Sequence, residues 1–352
     1  MNNKLQITLD CNIFGLQRFG GVSNYWAKIV EYLSIDSTFS GSLILPKQIK
    51  YDDFEDDWIK RMPVRREMLD ARIERYLRSP SGNRDGLFHT PYYRKPNQQS
   101  GKYIVTVHDF TYERYRSGLA RLVHTKQKLD SIRHADAVIC VSESTRSDVI
   151  EFCPEIDVRK LHVIHLGVDN RLFYKELEDT SNVVEQTVLF VGSRVSYKRF
   201  DLAVKAVSLL PDLILGIVGP VLTDVERTYL KKYLGTRWHE FGPVSSSDLR
   251  RLYSSAFAFI FPSDYEGFGL PILEAMACGC PVVAAALSSF PEVGGSAVYY
   301  ADNQSSDSYS SALDALYSVA VRKEAIGAGI ERAAEFDWLQ TYQKTRNIYL
   351  DQ

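Results

Sequence analysis

Short apolar runs alternate with segments of helical periodicity along almost the whole chain of 352 residues. This alternation is typical of parallel sheets covered by helices. The periodicity stops between 170 and 185, where the residues turn polar, and it restarts at 187. We therefore expect an α/β protein in which two Rossmann-like domains face a central cleft and are joined by a linker at 170–185.

Strands are predicted where apolar runs are short and bounded by turn residues, at 7–9, 42–45, 87–89, 103–107, 137–141 and 162–166, then 187–191, 213–218, 239–241, 258–261, 281–285 and 297–299. Helices are predicted where apolar positions follow the helical period, at 21–33, 65–78, 118–134 and 143–152, then 200–210, 222–234, 248–255 and 271–278. Ser142 is a suitable N-cap for the helix at 143–152.

The composition is that of an ordinary globular protein, with 45% hydrophobic and 24% charged residues. The net charge of −2 argues against nucleic acid as a partner, although basic residues are in excess between Arg61 and Lys95. The cysteines have no metal-ligand spacing, so we expect them to be buried and reduced. Because no leader and no apolar run near the ~20 residues of a membrane span is found, we expect a cytoplasmic protein.

The most informative segment is Asp-Tyr-Glu-Gly-Phe-Gly-Leu-Pro-Ile-Leu-Glu-Ala-Met-Ala-Cys-Gly-Cys-Pro at 264–281. Glu266 follows a predicted strand, and Glu274 lies one turn into a predicted helix. Gly267 and Gly269 free the backbone between them, so N–H groups can converge on an anion together with the helix N-terminus. Two carboxylates beside an anion-binding backbone suit a ligand with hydroxyls at one end and phosphates at the other, which describes a nucleotide sugar.

A second cluster, Gly-Ser-Arg-Val-Ser-Tyr-Lys-Arg, directly follows the strand predicted at 187–191. Arg194 and Lys198 would then lie at the mouth of the cleft. There they could neutralise a diphosphate as bond cleavage develops charge on it, a task that a metal ion performs in other enzymes. The alternative is a solvated basic loop without a ligand.

Two weaker signals lie in the first half of the chain. Gly20 and Gly21 precede a predicted helix, where the alternative is an ordinary flexible turn. His108 ends a predicted strand and points toward the cleft, although a lone histidine is often only a structural hydrogen-bonding group. His89 has similar geometry. Motifs of serine hydrolases, P-loop proteins, zinc proteases and dinucleotide-binding dehydrogenases are missing.

Together these residues resemble the retaining glycosyltransferases of family 4, which have the GT-B fold. The matching motifs run through nearly the whole chain, as Gly-Gly at 20–21, Val-His-Asp at 107–109, Ala-Val-Ile-Cys-Val-Ser-Glu-Ser at 137–144, Val-Ile-His-Leu-Gly-Val-Asp at 163–169, the Arg/Lys loop at 194–198 and Glu-Gly-Phe-Gly-Leu-Pro-Ile-Leu-Glu-Ala at 266–275. The resemblance implies an acceptor-binding domain at 1–169 and a nucleotide-sugar-binding domain at 170–336. It also implies that a helix at 337–352 packs back on the first domain.

The resemblance also implies roles for single residues. Roles at the transferred sugar and the diphosphate are implied for Glu266, His108, Arg194 and Lys198. Roles in binding the rest of the donor are implied for Glu274 at the ribose, the backbone of Gly267, Phe268, Gly269 and Leu270 at the diphosphate, Gly219 and Val244 at the base, and Gly20 and Gly21 at the phosphates or the acceptor.

The spacing of four positions between Arg194 and Lys198 is tighter than in many members of the family. It resembles a subset that includes bacterial polysaccharide mannosyltransferases. This departure weakens the implied role of Arg194 relative to that of Lys198, and it favours a GDP-sugar such as GDP-mannose slightly over a UDP-sugar.

The resemblance implies metal-independent transfer of a hexosyl unit to a glycan or lipid-linked glycan, without a cofactor, in cell-surface polysaccharide synthesis. The rival hypotheses are a GT-B phosphorylase or sugar-phosphate synthase, and a nucleotide-sugar-binding protein without turnover. The basic region 61–95 includes the amphipathic helix predicted at 65–78, which could contact the inner face of a membrane. The alternative is a helix packed on its own domain with a solvated basic face.

Overall fold

The computed structural model describes residues 4–18, 20–52, 54–80, 86–97, 101–176 and 186–351. The chain divides into two compact units. The first unit comprises Met1–Leu166 and Trp338–Gln352, and the second comprises Gly167–Asp337. The sequence predicted a first boundary between 169 and 170. Most of the predicted linker, 177–185, lies outside the described residues.

The first unit is built on a seven-stranded parallel sheet. Its strands are β1 Leu5–Asp10, β2 Phe39–Leu45, β3 Val64–Arg66, β4 Leu87–Thr90, β5 Lys102–Val107, β6 Ala137–Cys140 and β7 Leu161–Val163. Their order across the sheet is β3-β2-β1-β4-β5-β6-β7. The helices are α1 Ile13–Leu16, α2 Gly21–Ile35, α3 Asp56–Arg61, α4 Ala71–Glu74, α5 Thr111–Tyr115, α6 Leu119–His134, α7 Glu143–Phe152 and a 3₁₀ turn at Val158–Lys160.

The second unit has a six-stranded parallel sheet. Its strands are β8 Thr187–Val191, β9 Ile214–Val218, β10 Trp238–Gly242, β11 Ala258–Phe261, β12 Val282–Ala285 and β13 Val298–Ala301. Their order is β10-β9-β8-β11-β12-β13. The helices are α8 Phe200–Ser208, α9 Asp224–Leu234, α10 Ser246–Ser255, α11 Leu270–Ala277, α12 Phe290–Gly294, α13 Ser306–Ala315 and α14 Val319–Ala334, with 3₁₀ turns at Ser196–Lys198 and Gly295–Ala297. Every residue of β11 and β12 is buried, because helices cover both faces of a parallel sheet.

The last helix, α15 Trp338–Leu350, belongs to the first unit although it follows the second along the chain. The hydroxyl of the buried Tyr349 lies 2.7 Å from Nδ1 of His89 on β4. The hydroxyl of Tyr342 and Nε of Arg346 both donate to the carboxylate of Asp36, at 2.9 and 2.7 Å. Through these contacts α15, although remote in sequence, packs on the first unit and covers part of its hydrophobic interior.

The α/β prediction is confirmed, and most predicted elements lie within a few residues of the observed ones. The helix predicted at 65–78 is wrong, because this segment forms the short strand β3 and the four-residue helix α4. The strand predicted at 162–166 ends at Val163. Ser142 caps α7 as predicted, since its hydroxyl accepts from the backbone N–H of Thr145. Among the described residues, none of the helices combines the length and apolar character needed to cross a bilayer.

Candidate active site

Three glycines, Gly192, Gly219 and Gly242, lie at the carboxyl ends of β8, β9 and β10, and we call them the glycine edge of the second sheet. The N–H of Gly192 donates to the carbonyl of Val218 at 2.9 Å, and the N–H of Gly219 donates to the carbonyl of Gly242 at 3.0 Å. A Cβ atom on Gly219 would lie only 2.4 Å from the carbonyl oxygen of Gly192. Position 219 therefore requires glycine, and the positive φ angles of Gly192 and Gly242 favour glycine there. The backbone is thus left without side chains where ligands of parallel sheets bind.

Lys198 and Glu266 form an ion pair beside this edge. Nζ of Lys198 donates to Oε1 of Glu266 at 2.7 Å. The hydroxyl of Ser263 donates to the same oxygen at 3.1 Å. The ammonium also lies 5.4 Å from the ring centroid of Phe261. Two residues predicted at the transferred sugar and the diphosphate are thus brought together, although 68 positions separate them.

The loop from Glu266 to Leu270 is held by two serines that the sequence analysis did not identify. The hydroxyls of Ser288 and Ser289 donate to the carbonyl of Glu266 at 2.5 and 3.0 Å, and Ser289 also lies 2.6 Å from the carbonyl oxygen of Phe268. Sequence patterns gave no signal for this pair. The carbonyls of Glu266 and Phe268 are thus hydrogen-bonded to side chains from the segment after β12, which helps to hold the loop in its conformation.

Gly269 ends this loop as the N-cap of α11, in the left-handed region at φ 103°. No side chain caps α11. In the part of the chain that the structure describes, the N–H groups of Gly269 and Leu270 have no acceptor. Unpaired donors at a helix N-terminus favour anions. The buried side chain of Phe268 packs edge-on against Phe336, which agrees with the backbone role implied for Phe268.

Glu274 lies on the first turns of α11 with a half-buried side chain. Burial raises the pKa of its carboxyl group to about 7. Among the described residues, its carboxyl group has no hydrogen-bond or ion-pair partner. Loss of solvation without a compensating partner is the cause of this shift. A ligand that donates hydroxyl hydrogen bonds, as a ribose does, would supply the missing partners.

The side chain of Arg194 pairs with Glu226, whereas Lys198 pairs with Glu266. Nε of Arg194 donates to Oε1 of Glu226 at 2.6 Å, and Nη2 donates to the carbonyl of Val221 at 3.0 Å. Its side chain is only 5% exposed. The predicted role of Arg194 at the diphosphate therefore stays a prediction. The observed contacts of Arg194 connect the loop after β8 to α9 and to the segment before it.

The remaining predicted residues are distributed between the units. Gly219 is part of the glycine edge described above. Val244 lies half-buried between β10 and α10. Gly20 precedes α2 as its N-cap, and Gly21 is the first residue of that helix, which again has no side-chain cap. Sequence analysis did not single out Gly242, although a glycine at a strand end was a usable signal.

His108 directly follows β5 in the first unit. It is 8% exposed, and burial lowers the pKa of its imidazole to about 4. Its ring lies edge-on to Tyr25 at 5.1 Å, and its Nε2 has no partner among the described residues. His89 differs, since both of its ring nitrogens are engaged, by Tyr349 and by Thr106 at 2.8 Å. His89 therefore has a structural role, whereas His108 presents a neutral imidazole with one free nitrogen.

Family models match both halves of the chain. The model described as Glycosyl transferases group 1 matches residues 177–329, and the model described as Glycosyltransferase Family 4 matches residues 83–172. The chain is a glycosyltransferase of the group 1 and family 4 type. The first match begins just before β8 and contains the Lys198–Glu266 pair, the glycine edge and α11.

Two relatives illustrate the range of the similarity. O-antigen chain mannosyltransferase B of Escherichia coli is 28% identical over 285 residues, which span 76% of this glycosyltransferase and 74% of the relative. Alpha-maltose-1-phosphate synthase of Mycolicibacterium smegmatis is 30% identical over 250 residues, which span 62% of this chain and 64% of the relative. The match to the second relative thus covers less than two thirds of its length.

Solved structures show the same fold. Sucrose-phosphate synthase from Thermosynechococcus elongatus superposes with a TM-score of 0.78 at 19% identity, covering 99% of this chain and 98% of that chain. HepE from Anabaena, in complex with UDP and glucose, gives a TM-score of 0.71 at 16% identity, covering 99% and 100%. WaaG, a glycosyltransferase involved in lipopolysaccharide biosynthesis, gives 0.74 at 14% identity over the same shares. The glycosyltransferase therefore has the GT-B fold of two Rossmann-like domains.

Proposed function

We propose that this glycosyltransferase moves a hexosyl unit from a nucleotide diphosphate sugar to an acceptor hydroxyl with retention of the anomeric configuration. Two observations carry the proposal, the Lys198–Glu266 ion pair and the N–H groups of Gly269 and Leu270 at the end of the same loop, which have no acceptor among the described residues. A cation and helix N–H groups favour a diphosphate. A carboxylate next to them can accept hydrogen bonds from the sugar that the diphosphate carries.

In the proposed reaction, the bond between the anomeric carbon and the diphosphate oxygen breaks while the acceptor oxygen bonds to the same carbon. The acceptor proton passes to the leaving phosphate oxygen, so no protein nucleophile is required. Lys198 and the N–H groups of Gly269 and Leu270 stabilise the charge that grows on the diphosphate. Glu266 holds the sugar hydroxyls, and Glu274 accepts from the ribose. We further propose that the reaction needs neither a metal ion nor another cofactor.

The proposed donor is a hexose carried on GDP or UDP. The relative named as a mannosyltransferase, together with the tight spacing of Arg194 and Lys198, supports mannose and GDP. HepE, solved with UDP and glucose, supports UDP as the other candidate. Thermal shift with GDP, UDP, GDP-mannose and UDP-glucose distinguishes them, because a ligand that binds only the folded state raises the melting temperature.

The proposed acceptor is a glycan or a lipid-linked glycan of the cell surface. WaaG and the O-antigen mannosyltransferase are named for such polymers. A lipid-linked acceptor lies at a membrane, so peripheral contact through the basic region 61–95, at the inner face of the cytoplasmic membrane, belongs to the same proposal. Nucleic acid is not among the proposed partners.

A second function is favoured by the names of other relatives. Alpha-maltose-1-phosphate synthase and sucrose-phosphate synthase are both named for sugar phosphates. The same donor site could then serve an acceptor that bears a phosphate. A third possibility, donor binding without transfer, is compatible with the donor residues alone.

The deciding experiment incubates the purified chain with labelled nucleotide sugar, candidate glycans and candidate sugar phosphates, with and without excess EDTA. We expect an α-linked glycan from an α-linked donor, detected by NMR, at an unchanged rate in EDTA. A sugar-phosphate product would establish the second function. Inversion at the anomeric carbon or loss of activity in EDTA would contradict the proposed mechanism, and saturable binding without any product would support the third possibility.

A further inference from the structure

One face of the first unit exposes an unusual concentration of large apolar side chains. In the segment 68–77 these are Met68 at 80% exposure, Leu69, Ile73, Tyr76 and Leu77. On and just before α6 they are Tyr115, Leu119 at 75%, Leu122 at 66% and Val123. Exposed apolar residues that are scattered singly need no explanation, whereas a contiguous group marks an interaction surface.

Contacts between the two segments show that they form a single surface. The side-chain amide of Gln127 on α6 donates to the carbonyl of Arg75, and the Arg75 guanidinium donates to the hydroxyl of Tyr92. That hydroxyl lies 3.4 Å from Nε2 of His124, also on α6. His124 and Gln127 thus lie on the side of α6 that contacts Arg75 and Tyr92. The exposed side of α6 carries Leu119, Leu122, Val123 and Lys126. We call residues 65–78 and 114–126 together the apolar-basic face.

The charges on this face are almost all positive. Residues 114–126 contain Arg114, Arg116, Arg121 and Lys126 and no aspartate or glutamate. Residues 65–78 contain five arginines. Arg114 is paired with Asp148 and Glu151, but Arg116 and Lys126 are exposed.

The acidic residues of the first segment are turned inward. The guanidinium of the buried Arg94 forms ion pairs with Glu67 at 2.8 Å and with Asp10 on β1 at 3.0 Å. It also lies 3.6 Å from the carboxylate of Glu74. Only Asp70 remains partly exposed, paired with Arg72. The Arg94 cluster thus removes two carboxylates from the surface and leaves it apolar and basic.

We propose that the apolar-basic face docks this enzyme on an anionic lipid membrane, with the leucine, isoleucine and methionine side chains among the lipid chains and the basic residues at the headgroups. This arrangement suits the boundary between headgroups and acyl chains, where apolar insertion and attraction to anionic lipids add together. The inference rests on the proposed lipid-linked acceptor and names the surface that brings the enzyme to it. The part of the face on α6 lies entirely outside the region 61–95 that the sequence indicated.

The test is co-sedimentation of the full chain with vesicles of phosphatidylcholine alone or with about a third phosphatidylglycerol, at low and high salt. We expect pelleting only with the anionic vesicles and a several-fold decrease at high salt, since screening weakens the attraction. The double variant Ile73→Glu with Leu122→Glu should lose pelleting more than tenfold. The matched control, Leu209→Glu with Val319→Glu, changes two exposed apolar residues of the second unit and should pellet like the parent.

Absence of pelleting by the parent, or equal pelleting by the Ile73/Leu122 variant, would overturn the proposal. Self-association in sedimentation velocity that the same variant abolishes would assign the face to a second copy instead. Donor binding by thermal shift is measured on all variants and should be unchanged, because the changed residues are exposed and none of them belongs to the candidate donor site. Failure of donor binding in the parent would count against the proposed function and leave the membrane result interpretable by itself.

Discussion

At the scale of single residues, the unpartnered carboxyl group of Glu274 links stability to ligand binding. Its pKa of about 7 lies above the ordinary 4.5, so between these values the folded state binds more protons than the unfolded state. The free energy of unfolding should therefore fall as pH rises from 4.5 to 7. Glu274→Gln removes the cost of ionising this buried carboxyl group. We therefore expect the unliganded variant to be more stable than the parent at pH 8 by about 1–3 kcal/mol.

Urea unfolding of parent and variant at pH 5 and pH 8 measures this difference, which should be present at pH 8 and nearly absent at pH 5. The same substitution should weaken nucleotide-sugar binding at pH 8 by about tenfold or more, because an amide is a poorer acceptor for ribose hydroxyls than a carboxylate. For the parent, binding should strengthen from pH 6 to pH 8. A stabilised variant with parental affinity would leave Glu274 without a role at the ribose.

Lys198 and Arg194 are expected to respond differently to loss of charge. Lys198→Met removes the ammonium that lies 2.7 Å from Glu266, and turnover should fall about 10²–10³-fold, as when one stabilising donor is lost from an active site. Arg194→Met breaks the pair with Glu226 and should lower stability by about 1–3 kcal/mol while turnover of the folded enzyme changes little. Initial rates and urea unfolding of both variants test this. Comparable losses of turnover in the two variants would instead support a role for Arg194 at the diphosphate.

The sequence indicated Lys198, Glu266 and the glycine loop because their chemistry is concentrated in two short motifs. It could not indicate the pairing of Arg194, which depends on a residue 32 positions away. A partial clue was available, since Thr223 and Glu226 form a capping box that places Glu226 at the start of α9. Ser288 and Ser289 could not be predicted, because only the fold brings them beneath the Glu266 loop.

At the scale of elements, the glycine edge of the second sheet depends on how closely β8 and β9 end together. In Gly219→Ala the new Cβ atom would meet the Gly192 carbonyl at 2.4 Å, at a φ of +143°. We expect a loss of about 2–4 kcal/mol in stability together with weaker donor binding, because the clash adds to backbone strain.

Gly235→Ala is the matched control for this substitution. Gly235 also has a positive φ, +63°, but a Cβ atom there would meet nothing within 4 Å. Only the cost of the left-handed conformation remains, about 1 kcal/mol, and donor binding should be unchanged. Urea unfolding and thermal shift with nucleotide distinguish the two. Equal losses of stability would show that the close approach to Gly192 has no energetic importance.

Elements were predicted well where apolar residues face a core and poorly where they do not. The predicted strand 258–261 coincides with β11, because a strand buried on both faces is a continuous apolar run. The segment 65–78 has apolar residues at helical spacing, but Leu69, Ile73, Tyr76 and Leu77 are exposed. Its buried residues are Glu67, Ala71 and Glu74. A periodic pattern gives the spacing of apolar residues and not the side on which the protein interior lies.

At the scale of the whole molecule, the first unit is discontinuous along the chain, since it includes a helix from the end of the chain. The helix α15 places Trp338, Tyr342 and Tyr349 among the buried residues. The helix at 337–352 and its packing on the first domain were expected only from the family resemblance. The contacts that decide it, such as His89 with Tyr349, join residues 260 positions apart.

Removal of 338–352 should therefore destabilise the first unit and spare the second. The deletion uncovers the apolar side of α2 and leaves His89 and Asp36 without their partners from α15, and each lost large aromatic side chain costs about 3–5 kcal/mol. The loss exceeds what a single unit can tolerate, whereas the second unit retains its whole sheet. Hydrogen exchange should show loss of protection in β1, β4 and β5 with β8 and β11 still protected. Removal of 351–352 alone, which leaves α15 whole, should change neither, and protection retained in β4 after the longer deletion would contradict the assignment of α15 to the first unit.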